Sequence, residues 1–526
     1  MSNQLNDQIK KRRTFGIISH PDAGKTTLTE KLLLFGGAIQ VAGSIKARKA
    51  SRHATSDFLE IERQRGISVT TSVMGFDYKN HKINLLDTPG HADFCEDTYR
   101  TLTAVDSAIM VIDASKGVQA QTLKLLEVCR MRNTPIMTFM NKCDREGIDP
   151  IELLDEIEKT LNLPVCPMSW PIGMGKTFQG VYDLVNNSIL LFKAHEKHLG
   201  EPIKVDASDI NALRKHIGDD AAAQLSEAVE LLSVYPKFSR QDYLDAKITP
   251  VFFGSALNNF GVRELLDVFV NMAPSPLKRE TNQGDIEPTS TKFSGFIFKI
   301  HANIDPKHRD RIAFLRICSG VFERNKRFFH TRLKKPYRSN NPTAFMAQNK
   351  SVIDEAYPGD IIGLHDTGNL RIGDTLTEGD DFYFKGIPSF SPELFRIVVN
   401  EDPMKTKQLM KGLEQLCEEG VAQLFSRAQD GQKLLGTVGA LQFDVIQYRL
   451  EHEYKAKCRY NETNFIKACW LASDDEASLK HFIKNNPRYI GFDREQKPVY
   501  LAETPWSLER EKKEHPSIQF LATSEN

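Results

Sequence analysis

One segment limits the fold of this chain more than any other: SHPDAGKTT at residues 19–27, between the strand-length apolar run FGII and the amphipathic run LTEKLLLF. A tight turn between a strand and a helix gathers the free N–H groups of the helix's first turn into one small space, where they bind an anion. Ser19-His20-Pro21-Asp22-Ala23-Gly24-Lys25-Thr26-Thr27 keeps the pattern G-x-x-x-x-G-K-[ST] except at its first position, where Ser19 replaces Gly. Lys25 is then expected to neutralise a phosphate and the Thr26 hydroxyl to ligate Mg²⁺. A second Gly-Lys-Thr, at Gly175-Lys176-Thr177, has Trp170 five positions before its Gly and no strand-like run ahead of it, so it reads as a loop.

The surrounding pattern supplies the frame such a turn requires. Over residues 14–272, short apolar runs (FGII, KINLLD, SAIMVID, PIMTFM, PVFFGS) alternate with longer amphipathic ones (KTTLTEKLLLF, QTLKLLEVCRM, VRELLDVFVNM). Strands alternating with helices predict a doubly wound, mostly parallel α/β sheet. The segment APSPLKRETNQGDIEPTST at 273–291 has almost nothing to bury and reads as a linker. Beyond it, FSGFIFKI, RIAFLRICSG and SVIDEAYPGDIIGLH predict a closed β-barrel. LFRIVV, a helix near 404–418, VAQLF, KLLGTV, a helix near 440–453 and KAKCRY then give the order βαββαβ of a ferredoxin-like α+β domain. The expected division is a P-loop domain over 1–275, a β-barrel over 291–387 and an α+β domain over 390–526. The stretch after Tyr460 shows no pattern that places it, and no internal repeat is visible.

Composition excludes other classes. Lys plus Arg equals Asp plus Glu at 69 each, and 40% hydrophobic with 26% charged residues is the balance of a folded globular protein rather than a disordered or coiled-coil one. The eight cysteines contain no CxxC pair, which favours free thiols in a reducing compartment. The N-terminus MSNQLNDQIKKRR is polar and then basic, and no run approaches the roughly 18 apolar residues of a membrane span. A soluble, cytoplasmic, monomeric protein with no membrane partner is expected.

Three further segments sit at strand ends. Asp87-Thr88-Pro89-Gly90-His91 follows KINLL. An Asp at that place holds Mg²⁺ through water, and the Gly90 N–H meets a γ-phosphate, so that loss of the phosphate releases the loop. Asn141-Lys142-Cys143-Asp144 ends PIMTFM. The Asp144 carboxylate can accept from N1–H and the 2-amino group of guanine, a pair adenine does not offer, which selects GTP over ATP. Ser255-Ala256-Leu257 follows PVFFG, where a backbone N–H is expected to receive the guanine oxygen. GTP or GDP with Mg²⁺ is the expected cofactor set. The gap from Asp144 to Ser255 is several times one βαβ unit of about 30 residues, so an insertion is expected near 166–235.

With RGISVTT at residues 65–71 between these segments, the sequence resembles the translation GTPases, whose first switch carries Arg-Gly-Ile-Thr and whose second is Asp-x-Pro-Gly-His. The resemblance implies that Ser68, at the place of the family's Thr, ligates Mg²⁺ with its hydroxyl, and that His91 is the catalytic residue that orients the attacking water. Pro21 and Ile67 fall at the apolar positions that flank it. The insertion and SHPDAGKTTLTEKLL resemble the elongation factor G subgroup. The chain leaves no length for a translocase's fourth and fifth domains, however, and SDFLEIERQRGISVT is most similar to the bacterial class II peptide-chain release factors. The activity implied is ribosome-dependent GTP hydrolysis in translation termination, with the ribosome and the class I release factors as partners. Two alternatives stay open: a shortened translocation-like or ribosome-protection GTPase, and a GTP-sensing module that does not hydrolyse. Residues 307–338 add eleven Lys or Arg against Asp310 and Glu323, interleaved with Phe314, Phe322, Phe328, Phe329 and Tyr337, and read as a candidate rRNA contact.

Overall fold

The computed structural model describes residues 2–39, 61–62, 67–191, 203–302, 311–339, 341–346, 349–387 and 391–522. Strands β1 (Arg12–Ser19), β2 (Ser72–Tyr78), β3 (His81–Asp87), β4 (Ser107–Asp113), β5 (Ile136–Asn141) and β6 (Val165–Pro167) come first. A small antiparallel sheet follows, made of β7 (Ser169–Ile172), β8 (Gly180–Asp183), β9 (Ser188–Leu191) and β10 (Ile203–Lys204). β11 (Thr249–Phe253) then returns to the main sheet, whose order is β2-β3-β1-β4-β5-β11-β6. All its pairings are parallel except that of β2 with β3.

Because side chains alternate across a strand, β1 feeds two cores. Phe15 and Ile17 join Leu28 and Leu32 of the helix Lys25–Phe35 and Phe269 of the helix Val262–Met272. Ile18 joins Leu102 of the helix Cys95–Ala104, Leu125 of Ala120–Met131 and Leu153 of Pro150–Leu161. Burying each such side chain contributes about 1.5–3 kcal/mol. With both faces covered, the carboxyl ends of the strands form the free rim, and β1 is flanked there by β3 and β4, where the strand order reverses.

The β-rich part is a half-barrel. Its strands run Lys335–Arg338, Arg327–His330, Thr375–Thr377, Ser294–Ala302, Arg311–Ser319, Ile361–Asp366 and Thr343–Met346. No pairing among the described residues joins the two ends, so the barrel expected from the sequence is seen here as a half-barrel. The last strand pairs with β2 instead, at Met346↔Gly75, and continues the first sheet. Buried ion pairs tie the two parts together, Arg12 to Asp360 at 2.9 Å and Arg316 to Asp106 at 2.6 Å. Residues 273–291 hold a hairpin, Arg279–Thr281 with Gly284–Ile286, where a plain linker was expected. Backbone pairing holds it, and its composition gives no sign of that.

In the C-terminal part, Leu394–Asn400, Thr406–Glu418, Gln423–Arg427, Lys433–Thr437, Ala440–Tyr454 and Cys458–Glu462 follow one another as βαββαβ. The stretch left unplaced by sequence repeats that order with Lys467–Ala472, Glu476–Asn485, Ile490–Phe492, Pro498–Ala502, Pro505–Glu514 and Gln519–Leu521. The halves meet at Ser426↔Phe492 and Arg427↔Gly491 and make one 8-stranded sheet. The sequence reading that found no internal repeat is thus corrected. The repeat lies in the pattern of elements, while the residues filling it differ. No described helix is long and apolar enough to cross a membrane.

Candidate nucleotide-binding site

β1 ends at Ser19 and the next helix begins at Lys25, so residues 20–24 make the whole turn. The turn passes through two left-handed residues, Asp22 at φ 64° and Gly24 at φ 96°. Asp tolerates this conformation by bonding locally, but at Gly24 a Cβ would lie 2.2 Å from Asn141 Nδ2. Gly24→Ala is therefore expected to cost about 1–2 kcal/mol in backbone strain alone and to displace Asn141 from the loop. Thermal unfolding and nucleotide titration on one variant check this; wild-type affinity would refute the packing argument.

Asn141 knits three distant segments together. Its Nδ2 donates to Ala23 O at 2.8 Å, and its Oδ1 accepts from the N–H of Lys142 at 2.9 Å and of Ala256 at 2.8 Å. Lys142 Nζ donates to Asp22 O at 2.5 Å and pairs with Asp113 Oδ2 at 2.6 Å. Burial alone would raise the Asp113 carboxyl, but bonds from Lys142 and Ser115 hold it below the usual carboxylate range. The half-buried Asp144 accepts from Asn258 Nδ2 at 3.1 Å. The Ser255 N–H donates to Phe260 O at 3.0 Å and that of Ala256 is taken by Asn141, so the Leu257 N–H is the third amide of the tripeptide and the candidate for a base oxygen. The second Gly-Lys-Thr does follow a strand, β7, contrary to the sequence reading. It forms only a 3₁₀ turn, and the Gly175 N–H donates to the carbonyl of buried Cys143 at 3.0 Å.

Asp87 closes β3 beside Ile17 of β1. Its Oδ1 pairs with Lys25 Nζ, and its Oδ2 is buried with no hydrogen-bond partner among the described residues. Thr26 Oγ1 and Ser68 Oγ lie 3.5 Å apart. Two adjacent hydroxyls and an unpartnered carboxylate oxygen are hard oxygen donors of the kind Mg²⁺ takes, so these residues fit the ion. Thr88 Oγ1 donates to Ile17 O at 2.7 Å, and a Cβ on Gly90 would lie 3.5 Å from Pro21 Cα, so the second switch rests on the first loop. His91 caps the 3₁₀ turn Ala92–Phe94, its Nδ1 accepting from the Asp93 N–H at 3.2 Å, and its side chain is 35% exposed. In the loop after β1, His20 Nδ1 is buried without a partner among the described residues, and burial together with the charge of Lys116 holds this imidazole below its usual value.

Arg65 and Gly66 of the first switch lie outside the described residues. Within it, a Glu62 oxygen takes the N–H of Val69 at 2.9 Å and of Thr70 at 3.1 Å. Sequence reasoning gave no role to Glu62, quoted only within the run SDFLEIERQRGISVT, and missed Asp113 and Asn258. Asp113 carried a signal as an acidic residue ending a strand beside β1.

A phosphate loop, an acidic strand end and a base-reading loop, gathered on the carboxyl rim of a doubly wound sheet, define a P-loop nucleotide-binding protein. The family model of the elongation factor Tu GTP binding domain matches residues 10–275, just over half of the chain, and the chain belongs to that family of GTPases. The models of elongation factor G domain 2 and of the class II release factor RF3, C-terminal domain, match residues 292–379 and 384–512, the composition of a release-factor-like translation GTPase. Among solved structures, a crystal structure of a Thermus thermophilus protein is similar in fold, with a TM-score of 0.70 at 22% identity over 86% of this chain and 67% of that one.

Proposed function

We propose that this GTPase acts on the ribosome in translation termination, using GTP to promote departure of a codon-reading class I release factor after peptide release. One observation carries the proposal. The C-terminal part, which matches the class II release factor family, packs directly on the nucleotide switches: Val445 of its helix Ala440–Tyr454 shares a small buried cluster with Ile61 and Val69 of the first switch and Phe94 of the second. A change at the nucleotide therefore reaches the release-factor part without an intermediary.

In the proposed reaction, Lys25 and the amides of the loop hold the phosphates, and Asp144 with the Leu257 N–H reads guanine. Thr26, Ser68 and Asp87 would hold Mg²⁺, which when bound neutralises charge on the phosphate oxygens. His91 orients water for attack on the terminal phosphate, and no covalent intermediate forms. GTP turnover with and without ribosomes, together with release of a class I factor from termination complexes, tests the proposal. Turnover that ignores ribosomes, or a class I factor that stays bound, would count against it.

The basic segment supports a ribosomal partner on narrower grounds than its charge count. Arg311 and Arg316 point inward to Asp366 and Asp106, while Arg324, Lys326, Arg332 and Lys334 face Asp354, Glu378, Asp374 and Asp381. Residues 307–310 lie outside the described residues. Arg327, Lys335 and Arg338 remain, all exposed on an edge hairpin, with Arg327 directly opposite Arg338. Like charges paired across strands are unfavourable by themselves, and phosphodiester oxygens relieve them. Arg327→Glu with Arg338→Glu is expected to weaken ribosome binding and to flatten its log–log salt dependence by about 1–2, with nucleotide affinity unchanged. An unaltered salt slope would exclude the hairpin from the contact.

A further inference from the structure

Asp93, two residues beyond His91, faces in two directions. Its Oδ1 lies 3.2 Å from His91 Nδ1, the atom to which its own N–H also donates. Its Oδ2 accepts the Leu441 N–H at 2.7 Å, in the first turn of the helix Ala440–Tyr454, where a helix has no acceptor of its own for that group. The approach is close: a Cβ on Gly439 would lie 2.2 Å from Asp93 Cγ. Phe94 packs beside it in the cluster with Val445, and Arg100 donates to Gly420 O at 2.7 Å, so the second switch is fastened to the C-terminal part along its length.

We propose that Asp93 is a positioning residue for His91 whose carboxylate is shared with the C-terminal helix, so that the seating of that helix and the state of the His91 ring are set together. The proposal rests on the catalytic role given to His91 above. A carboxylate beside Nδ1 favours the tautomer with the proton on Nδ1, which leaves Nε2 as an acceptor for water. A backbone N–H at the same nitrogen favours the reverse. Which partner prevails depends on how the carboxylate is held, and the bond from Leu441 to Oδ2 holds it. A shift of the helix frees the carboxylate to turn and resets the ring, so movement of the C-terminal part is felt at the water-positioning group.

The test uses the full chain with Asp93→Ala, Asp93→Asn, His91→Ala and the Asp93→Ala/His91→Ala double variant. Asp93→Ala is expected to lower ribosome-stimulated single-turnover hydrolysis by about tenfold or more, with GTP affinity within about twofold of the unmodified protein. In the double variant it should add nothing to the loss caused by His91→Ala, because it acts through that side chain. Asp93→Asn keeps an oxygen for the Leu441 N–H while presenting an amide donor to Nδ1, so it should lose rate yet keep the helix seated. Amide hydrogen exchange over residues 438–446 should rise in Asp93→Ala and stay unchanged in Asp93→Asn. Multiplying losses in the double variant, a full rate in either Asp93 variant, or unchanged exchange in Asp93→Ala would overturn the proposal while leaving the role of His91 intact. A full rate in His91→Ala would overturn that role and this proposal together.

Discussion

His91→Ala should reduce ribosome-stimulated GTP hydrolysis by about two or more orders of magnitude, the scale on which a water-positioning group in phosphoryl transfer acts. GTP and GDP affinity should stay nearly unchanged, because among the described residues none of the hydrogen bonds that shape the loops at 19–27 and 141–144 runs through this side chain; its hydrogen bond is with Asp93 and its ring meets Phe94 edge-on. Lys25→Ala should do the opposite. It removes the ammonium that pairs with Asp87 at the mouth of the loop and, with nucleotide bound, the charge that holds the phosphates, so binding itself is lost. Equilibrium titration and single-turnover kinetics on both variants separate binding from chemistry. Should the His91 variant hydrolyse at the unmodified rate, the water-positioning role is wrong even though the family assignment stands.

Asp144→Asn should shift preference from guanosine toward xanthosine nucleotides, since the new amide donates where the second oxo group of xanthine accepts. Loss of a two-bond, charge-assisted contact should cost about 2–4 kcal/mol of GTP affinity. Asp144 is well placed for the exchange. It is half-buried, and its Oδ2 is steadied by Asn258 at 3.1 Å, a partner that an Asn at 144 retains through its own oxygen. Competition between GTP and XTP on the variant measures the switch, and unchanged GTP affinity would remove Asp144 from the base pocket.

The placement of residues 19–27, 87–91, 141–144 and 255–257 was legible because each is a short run at a strand end with a recognisable pattern of its own. Asn141 was legible as part of a motif, but its work as a hub was not: its bonds reach Ala23 and Ala256, and no local pattern records a contact across more than a hundred residues. The basic segment shows the opposite error. Its cations were counted along the chain, yet every residue of Arg311–Ser319 is buried, so two of the charges summed as surface were interior ion-pair partners. Barrel closure and the second βαββαβ unit depend on which strand edges meet. Periodicity gives each strand's faces but is silent on its neighbours.

The duplicated C-terminal sheet has a mechanical consequence. Ser426↔Phe492 and Arg427↔Gly491, continued by the bond from the Ala428 N–H to Ile490 O, join the halves by backbone pairing, and Phe395, Phe425 and Leu434 of the first half pack in one apolar layer with Trp470, Val499 and Leu501 of the second. The shared layer stiffens the joint, so the 8-stranded sheet turns as one plate. From Lys433–Thr437, which leads into the helix of Leu441, to the outermost strand, Gln519–Leu521, is five strand spacings, about 24 Å at about 4.8 Å each, so a tilt of about 10° begun where Leu441 touches the switch would carry that strand through about 4 Å. A small displacement beside the nucleotide would thereby be enlarged at the far edge of this sheet.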